Sequence, residues 1–138
     1  MENNLDFLKA KAVEIRKDIV KMVYNAKSGH IGGSMSIVET LIALYYQFLN
    51  FDIHNPKSNT RDRFVLSKGH TAPALYAVLA DVGFFPKERL FDSYRHVDSL
   101  LQGHPDLKKT PDNIAPGCPE LHGRSGSPTY SPHPMSWG

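Results

Sequence analysis

Several features that usually mark a protein's class are missing or scarce in these 138 residues. A single cysteine, Cys118, leaves no partner for an internal disulfide and fits a reducing compartment, most simply the cytoplasm. No run approaches the roughly 20 apolar residues of a membrane span. The N-terminal MENNLDFLKAKAVEIRK has no apolar signal core. A formal net charge of +2 is too small to point to nucleic acid or an anionic membrane. Proline is scarce in the front of the chain, where only Pro56, Pro73 and Pro86 precede Pro105, and crowded behind it. What is present, 41% hydrophobic and 22% charged residues, is an ordinary globular mix and excludes a fibrous or wholly disordered chain.

Leu5, Leu8, Ala12, Ile15, Ile19, Met22 and Ala26 recur at spacings of three and four, which predicts a helix over 5–26 with one apolar stripe. Asn3 or Asn4 caps it, and Lys27-Ser28-Gly29 ends it. A glycine-rich turn over 28–34 follows. Ser36 and Glu39 then have the spacing of a capping box ahead of a helix that is apolar nearly all round to Phe51. Such a helix belongs in a large core or at a subunit interface. Residues 52–62 read as a loop, and 63–67 as a short buried parallel strand. The strand runs through Lys68-Gly69-His70 into a helix over 71–82, with Pro73 in its first turn and Gly83 closing it. A further short helix spans 86–94. A strand feeding a helix through a glycine turn predicts an α/β layer fold, mostly helical at the front with one or few parallel strands. Residues 112–138 have no hydrophobic periodicity and too many prolines for a helix or central strand, so they read as an irregular or disordered tail.

Three histidines share a setting: His30, His70 and His104 each follow a glycine at the end of an element. Glycine lets the backbone turn sharply or approach a ligand, and imidazole supplies a donor, an acceptor or an exchangeable proton. Each pair has two readings, a helix cap or loop brace on one side and a ligand-binding crevice at the carboxyl edge of a sheet on the other. Likewise Gly32-Gly33 either offers backbone amides to an anion or simply makes a tight interhelical turn. Arg61-Asp62-Arg63 reads as a solvated loop or local ion pair. Cys118, His122 and His133 imitate part of a zinc site without a fourth ligand, and Cys118 has no ordered base beside it to make a nucleophile. No metal ligands are assigned.

Ser28-Gly29-His30-Ile31-Gly32-Gly33-Ser34-Met35-Ser36 with Glu39 resembles the N-terminal motif of the transketolase family. The block from Arg61 through Phe64, Ser67, Lys68, Gly69 and His70 to Tyr76 resembles its second motif, and Gly103-His104-Pro105 with Lys109-Thr110-Pro111 its third. The resemblance runs from the first helix to about Pro111. It is closest to the N-terminal chain of the split transketolases; the deoxyxylulose phosphate synthases are a poorer match. It implies a thiamine diphosphate enzyme that moves a two-carbon ketol unit between sugar phosphates in the pentose phosphate pathway, with Mg2+ in the intact family. It implies that His30, His70 and His104 line the catalytic channel. His30 and His104 would meet substrate hydroxyls, and His70 with Gly69 the cofactor diphosphate. It also implies a partner, either a C-terminal transketolase chain or a second copy, because the family holds its cofactor between subunits.

After Pro111 the resemblance ends. The family continues with Ser-Thr-Gly-Ser-Leu-Gly-Gln-Gly and, further on, Gly-Asp-Gly-Glu and an asparagine that hold magnesium and diphosphate; here Asp112-Asn113-Ile114-Ala115-Pro116-Gly117 begins something different. The expectation is an incomplete thiamine diphosphate-binding unit over 1–111 and an unrelated tail over 112–138, as a frameshift or early stop would give. On its own such a chain is expected to be inactive and weakly stable. The alternatives are a truncated product that only associates with other transketolase chains, or a fragment of a deoxyxylulose phosphate synthase-like enzyme.

Overall fold

The apolar stripe of the first segment becomes a 25-residue helix, α1 (Glu2–Ala26). Ala12, Ile15, Ile19, Met22 and Val23 of this helix are buried. The computed structural model describes residues 2–56, 58–97, 99 and 101–103, with the side chains of Glu2 and Asn3 excepted. His104, Cys118, His122, His133 and the whole segment 112–138 lie outside the described residues. Helix α1 starts ahead of the expected caps: Asn4 lies inside it and exchanges hydrogen bonds with Gln47 at 2.9 and 3.2 Å. At its other end the left-handed position falls on Lys27, with φ 52°.

The glycine-rich segment expected as a turn is a short helix, α2 (Ile31–Ser36), followed by α3 (Val38–Ala43). The expected capping box does not form. Ser36 Oγ donates back to Gly33 O at 2.7 Å, so it belongs to the end of α2, and Glu39 pairs with Arg16 of α1 instead. Nor is the helix from residue 37 covered all round. Val38, Leu41, Ile42 and Tyr45 are buried, whereas Glu39, Thr40 and Phe48 face outward. It ends in a wide π turn (Leu44–Phe48) closed by Leu49 N donating to Leu44 O at 2.8 Å. The extra residue in that turn places Tyr45 inward and leaves Tyr46 beside it free to reach α4.

The helix wrapped on every side is α4 (Ala72–Val82), in which all residues from Ala72 to Ala80 are buried. Its four alanines let α1, α2 and α3 pack closely around it. Pro73 sits in its first turn and Gly83, at φ 104°, ends it in the left-handed conformation that only glycine adopts freely. A last helix, α5 (Glu88–Ser93), lies against α1 and α4 and buries Leu90.

The segment 63–67 is not a strand, and no strand occurs among the described residues. A strand requires a neighbouring extended segment to share its backbone hydrogen bonds. Among the described residues no segment pairs with this one in that way. Its side chains are nevertheless held: Leu66 is buried, and the Phe64 ring meets Tyr45 edge-on at 6.1 Å. Tyr45 in turn meets Phe51, which stacks on Phe84 at 5.4 Å. The loop 50–62 is closed by Asn50 N donating to Asp62 Oδ2 and Asp62 N donating to Asn50 O, both 2.8 Å. Among the described residues no helix is long and apolar enough to cross a membrane.

Candidate functional site

The end of α1 and the start of α4 bring two of the three histidine turns together. Gly29 takes φ 146°, and a side chain there would meet Val23 at 3.0 Å and the Tyr94 hydroxyl at 3.4 Å. Only glycine turns the chain at this point without displacing the core. His30 follows in an extended conformation at the start of α2, with no side-chain capping bond. Its carbonyl, not its ring, is engaged: buried Ser34 Oγ donates to His30 O at 2.7 Å.

His70 lies in a 3₁₀ turn (Gly69–Thr71) that leads into α4. The turn is fixed from below by buried Thr71, whose Oγ1 and backbone N both donate to Lys68 O, at 2.7 and 2.9 Å. Helix α2 packs directly on this turn, and Gly33 is what permits it. A methyl group on Gly33 would stand 3.0 Å from Thr71 Cγ2 and 3.1 Å from His70 Nε2. At Gly32, by contrast, nothing lies within 4 Å, so the backbone there faces open space.

The result is an exposed pair of imidazoles, His30 and His70, with centroids 5.5 Å apart and ring planes at 80°. Among the described residues neither ring has a hydrogen-bond partner. Both are therefore free of the capping and bracing roles that loop histidines often fill. Two such rings supply directional donors and acceptors to hydroxyl or phosphate oxygens and move protons over short distances. Gly69 opens the 3₁₀ turn that carries His70, and His104 lies outside the described residues. Among the described residues no group of three or more acidic, histidine or cysteine side chains is gathered to hold a metal ion. The two imidazoles offer donors and acceptors to a ligand's oxygens, and nothing among the described residues lies within 4 Å of the place a side chain on Gly32 would take.

Helices α2 and α3 are tied to α1 by Arg16, which pairs with Glu39 and holds its carboxyl below the usual range, and which also reaches Met35 O at 3.5 Å. A second charged group, missed in the sequence, fastens α4. The Asp81 carboxylate, only 4% exposed, receives hydrogen bonds from Tyr46 and Lys11 and pairs with Lys87 at 3.2 Å. Lys87 also meets Glu14 at 2.8 Å and Asp18 at 2.9 Å. Burial pushes the Asp81 carboxyl up, but hydrogen bonds from Tyr46, Lys11 and Lys87 outweigh it and hold it below its usual value. Burial works to lower Lys87, and Glu14, Asp18 and Asp81 together hold it above the ordinary lysine range. The only signal of this group in the sequence is that Glu14 and Asp18 lie off the apolar stripe of α1.

Residues 8–120 match the family described as "Transketolase, thiamine diphosphate binding domain". Among curated proteins, the chain is 45% identical over 109 residues to a 6-deoxy-6-sulfo-D-fructose transketolase subunit of Clostridium sp. (strain MSTE9), covering 79% of this chain and 39% of that one. It is 40% identical over 104 residues to an apulose-4-phosphate transketolase subunit of Phocaeicola vulgatus, covering 75% and 37%. Against the transketolase of Mus musculus it is 36% identical over 116 residues, 84% of this chain and 18% of the other. The chain thus spans under two-fifths of the length of these relatives.

Proposed function

The chain belongs to the transketolase family through its thiamine diphosphate-binding domain, and on that basis we propose that it supplies the histidine face of a ketol-transfer site that is completed by another chain. The observation that carries this reading is the free, exposed His30–His70 pair on two glycine turns held by buried Ser34 and Thr71. In this reading His70 and Gly69 hold the cofactor diphosphate, while His30, joined by His104, donates hydrogen bonds to substrate hydroxyls. All three imidazoles act as proton acceptors and donors at the reacting oxygens. Thiamine diphosphate, when bound with Mg2+, supplies the carbon nucleophile and electron sink that the side chains themselves lack. The substrates are sugar phosphates, as in the pentose phosphate pathway, and the setting is cytoplasmic. The unit extends over 1–111, with 112–138 outside it. With another chain to supply the extended neighbour that the described residues lack, 63–67 would pair as a strand of a parallel sheet in an α/β fold. The partner is a C-terminal transketolase chain or a second copy of this one.

Calorimetry and a coupled ketol-transfer assay test the reading. The chain alone is expected to show no micromolar, magnesium-dependent binding of thiamine diphosphate and no turnover. Mixed with a C-terminal transketolase chain it is expected to transfer ketol units, and His30→Ala or His70→Ala to lower kcat by about 10²-fold or more. An inert mixture would remove the catalytic reading and leave a chain that only associates with other transketolase chains. Tight binding by the isolated chain would remove the need for a partner.

A further inference from the structure

Among the described residues two polar ones, Ser34 and Thr71, are buried without any exposure. Burying a hydroxyl costs stability unless a hydrogen bond offsets it, and alanine or valine would fill nearly the same space without that cost. Both hydroxyls are engaged at the histidine turns. Ser34 Oγ donates to His30 O at 2.7 Å, and Thr71 Oγ1 donates to Lys68 O at 2.7 Å.

Thr71 has two working ends. Its hydroxyl and its backbone N, the latter at 2.9 Å, both donate to Lys68 O and hold the 3₁₀ turn that carries His70. Its methyl group faces α2: Cγ2 lies 3.0 Å from the place where a side chain on Gly33 would begin. Gly33 is followed directly by Ser34, whose hydroxyl holds the His30 carbonyl. Hydroxyl and methyl branch from the same Cβ, and χ1 of a β-branched residue is stiff. The hydrogen bond that fixes one end therefore fixes the direction of the other. The His30 and His70 rings, 5.5 Å apart at 80°, have no hydrogen-bond partner among the described residues, so their mutual geometry is set by the backbone that carries them.

We infer that Thr71 is a positioning residue that locks the two histidine turns to each other. Its hydroxyl holds the His70 turn, and its methyl group seats α2 and, through Gly33 and Ser34, His30. The bearing on catalysis rests on the proposed ketol-transfer reading, in which a displacement of about 1 Å between groups serving one ligand lowers the rate about 10²-fold. The mechanical lock does not rest on it.

The test is NMR of the full chain without cofactor, native against Thr71→Ser and Thr71→Val. Thr71→Ser keeps the hydroxyl and removes the methyl group; Thr71→Val keeps the branched shape and removes the hydroxyl. The readout is the NOE between the imidazole protons of His30 and His70, with the Gly33 and Gly69 amides reporting on α2 and on the His70 turn. The native chain is expected to show the NOE. Thr71→Ser is expected to shift the Gly33 amide, leave Gly69 in place and lose the NOE. Thr71→Val is expected to shift Gly69 and to lose it as well. In both, the Gly83 amide at the far end of α4 is expected to stay put, which a general loosening of the core would not allow. An NOE that is absent from the native chain or survives in either variant overturns the inference. So does a loss accompanied by a shift of Gly83, or a Gly33 amide that Thr71→Ser does not move. If Thr71→Val does not fold, Thr71→Ser, which keeps both bonds to Lys68, decides alone by the same criteria. Ketol transfer plays no part in this readout, so failure here and failure of the proposed function are separable.

Discussion

Replacing Asp81 with asparagine tests whether the charged fastener under α4 sets the stability of the whole bundle. The substitution keeps the volume and one acceptor oxygen and removes the charge. In the native chain three donors converge on this carboxylate: Tyr46, Lys11 at 3.1 Å and Lys87 at 3.2 Å. Hydrogen bonds to a charged group contribute about 1.5–3 kcal/mol each, and breaking a fully buried pair costs about 3–5 kcal/mol. Lys11 and Lys87 are 22% and 30% exposed and keep Glu14 and Asp18 as partners, so they are not stranded. The expected net loss is therefore about 2 kcal/mol at neutral pH, toward the lower end of those ranges. Urea unfolding followed by circular dichroism reads it as a lower midpoint at unchanged slope. The pH dependence supplies the sharper check. The folded-state pKa of Asp81 lies below its unfolded value, so its stabilisation is present above the ordinary aspartate range and lost as pH falls through the folded pKa. The native chain and the variant are thus expected to converge in stability below about pH 4. A loss under about 0.5 kcal/mol, the size of an ordinary exposed pair, would refute the reasoning. So would a gap that stays constant into acid.

At the alkaline end, Lys11, Lys87 and Tyr46 all have raised folded-state pKa values, so their contribution is full below the unfolded values and is lost as pH rises through the folded ones. Unfolding midpoints are expected to hold from neutral pH to about 10 and to drop beyond it; a decline beginning near pH 8 would contradict this. Gly33→Ala is expected to cost about 1–3 kcal/mol by crowding Thr71 and His70 and to displace the His70 ring signals in NMR. Gly32→Ala, with nothing within 4 Å, is expected to be neutral or to stabilise α2 by up to about 1 kcal/mol; equal effects at the two positions would deny the close packing of α2 on the His70 turn. Gly83→Ala is expected to lower stability by about 1–2 kcal/mol through its φ of 104° alone, since the nearest atom, Ile53 Cδ1, is at an ordinary 3.4 Å. A thermal melt within error of the native chain would refute that.

The residues that could be read in advance are those whose behaviour depends on local spacing. The stripe of Ile15, Ile19 and Met22, the Pro73 start and the Gly83 stop of α4, and the histidines after glycines are all patterns within one or two helical turns. What the sequence left ambiguous was decided by contacts distant along the chain. Ser36 and Glu39 have the spacing of a capping box, but Arg16, 23 residues away from Glu39, takes the glutamate, and the serine closes α2 instead. The helices at 38–48 and 72–82 look equally apolar as strings. Alanine content separates them, because only the helix with four small residues admits neighbours on every side. The strand expected at 63–67 is the same lesson in reverse. Leu66 is buried and Phe64 half-buried against the core, but hydrophobicity specifies burial and only a hydrogen-bonded neighbour specifies a strand.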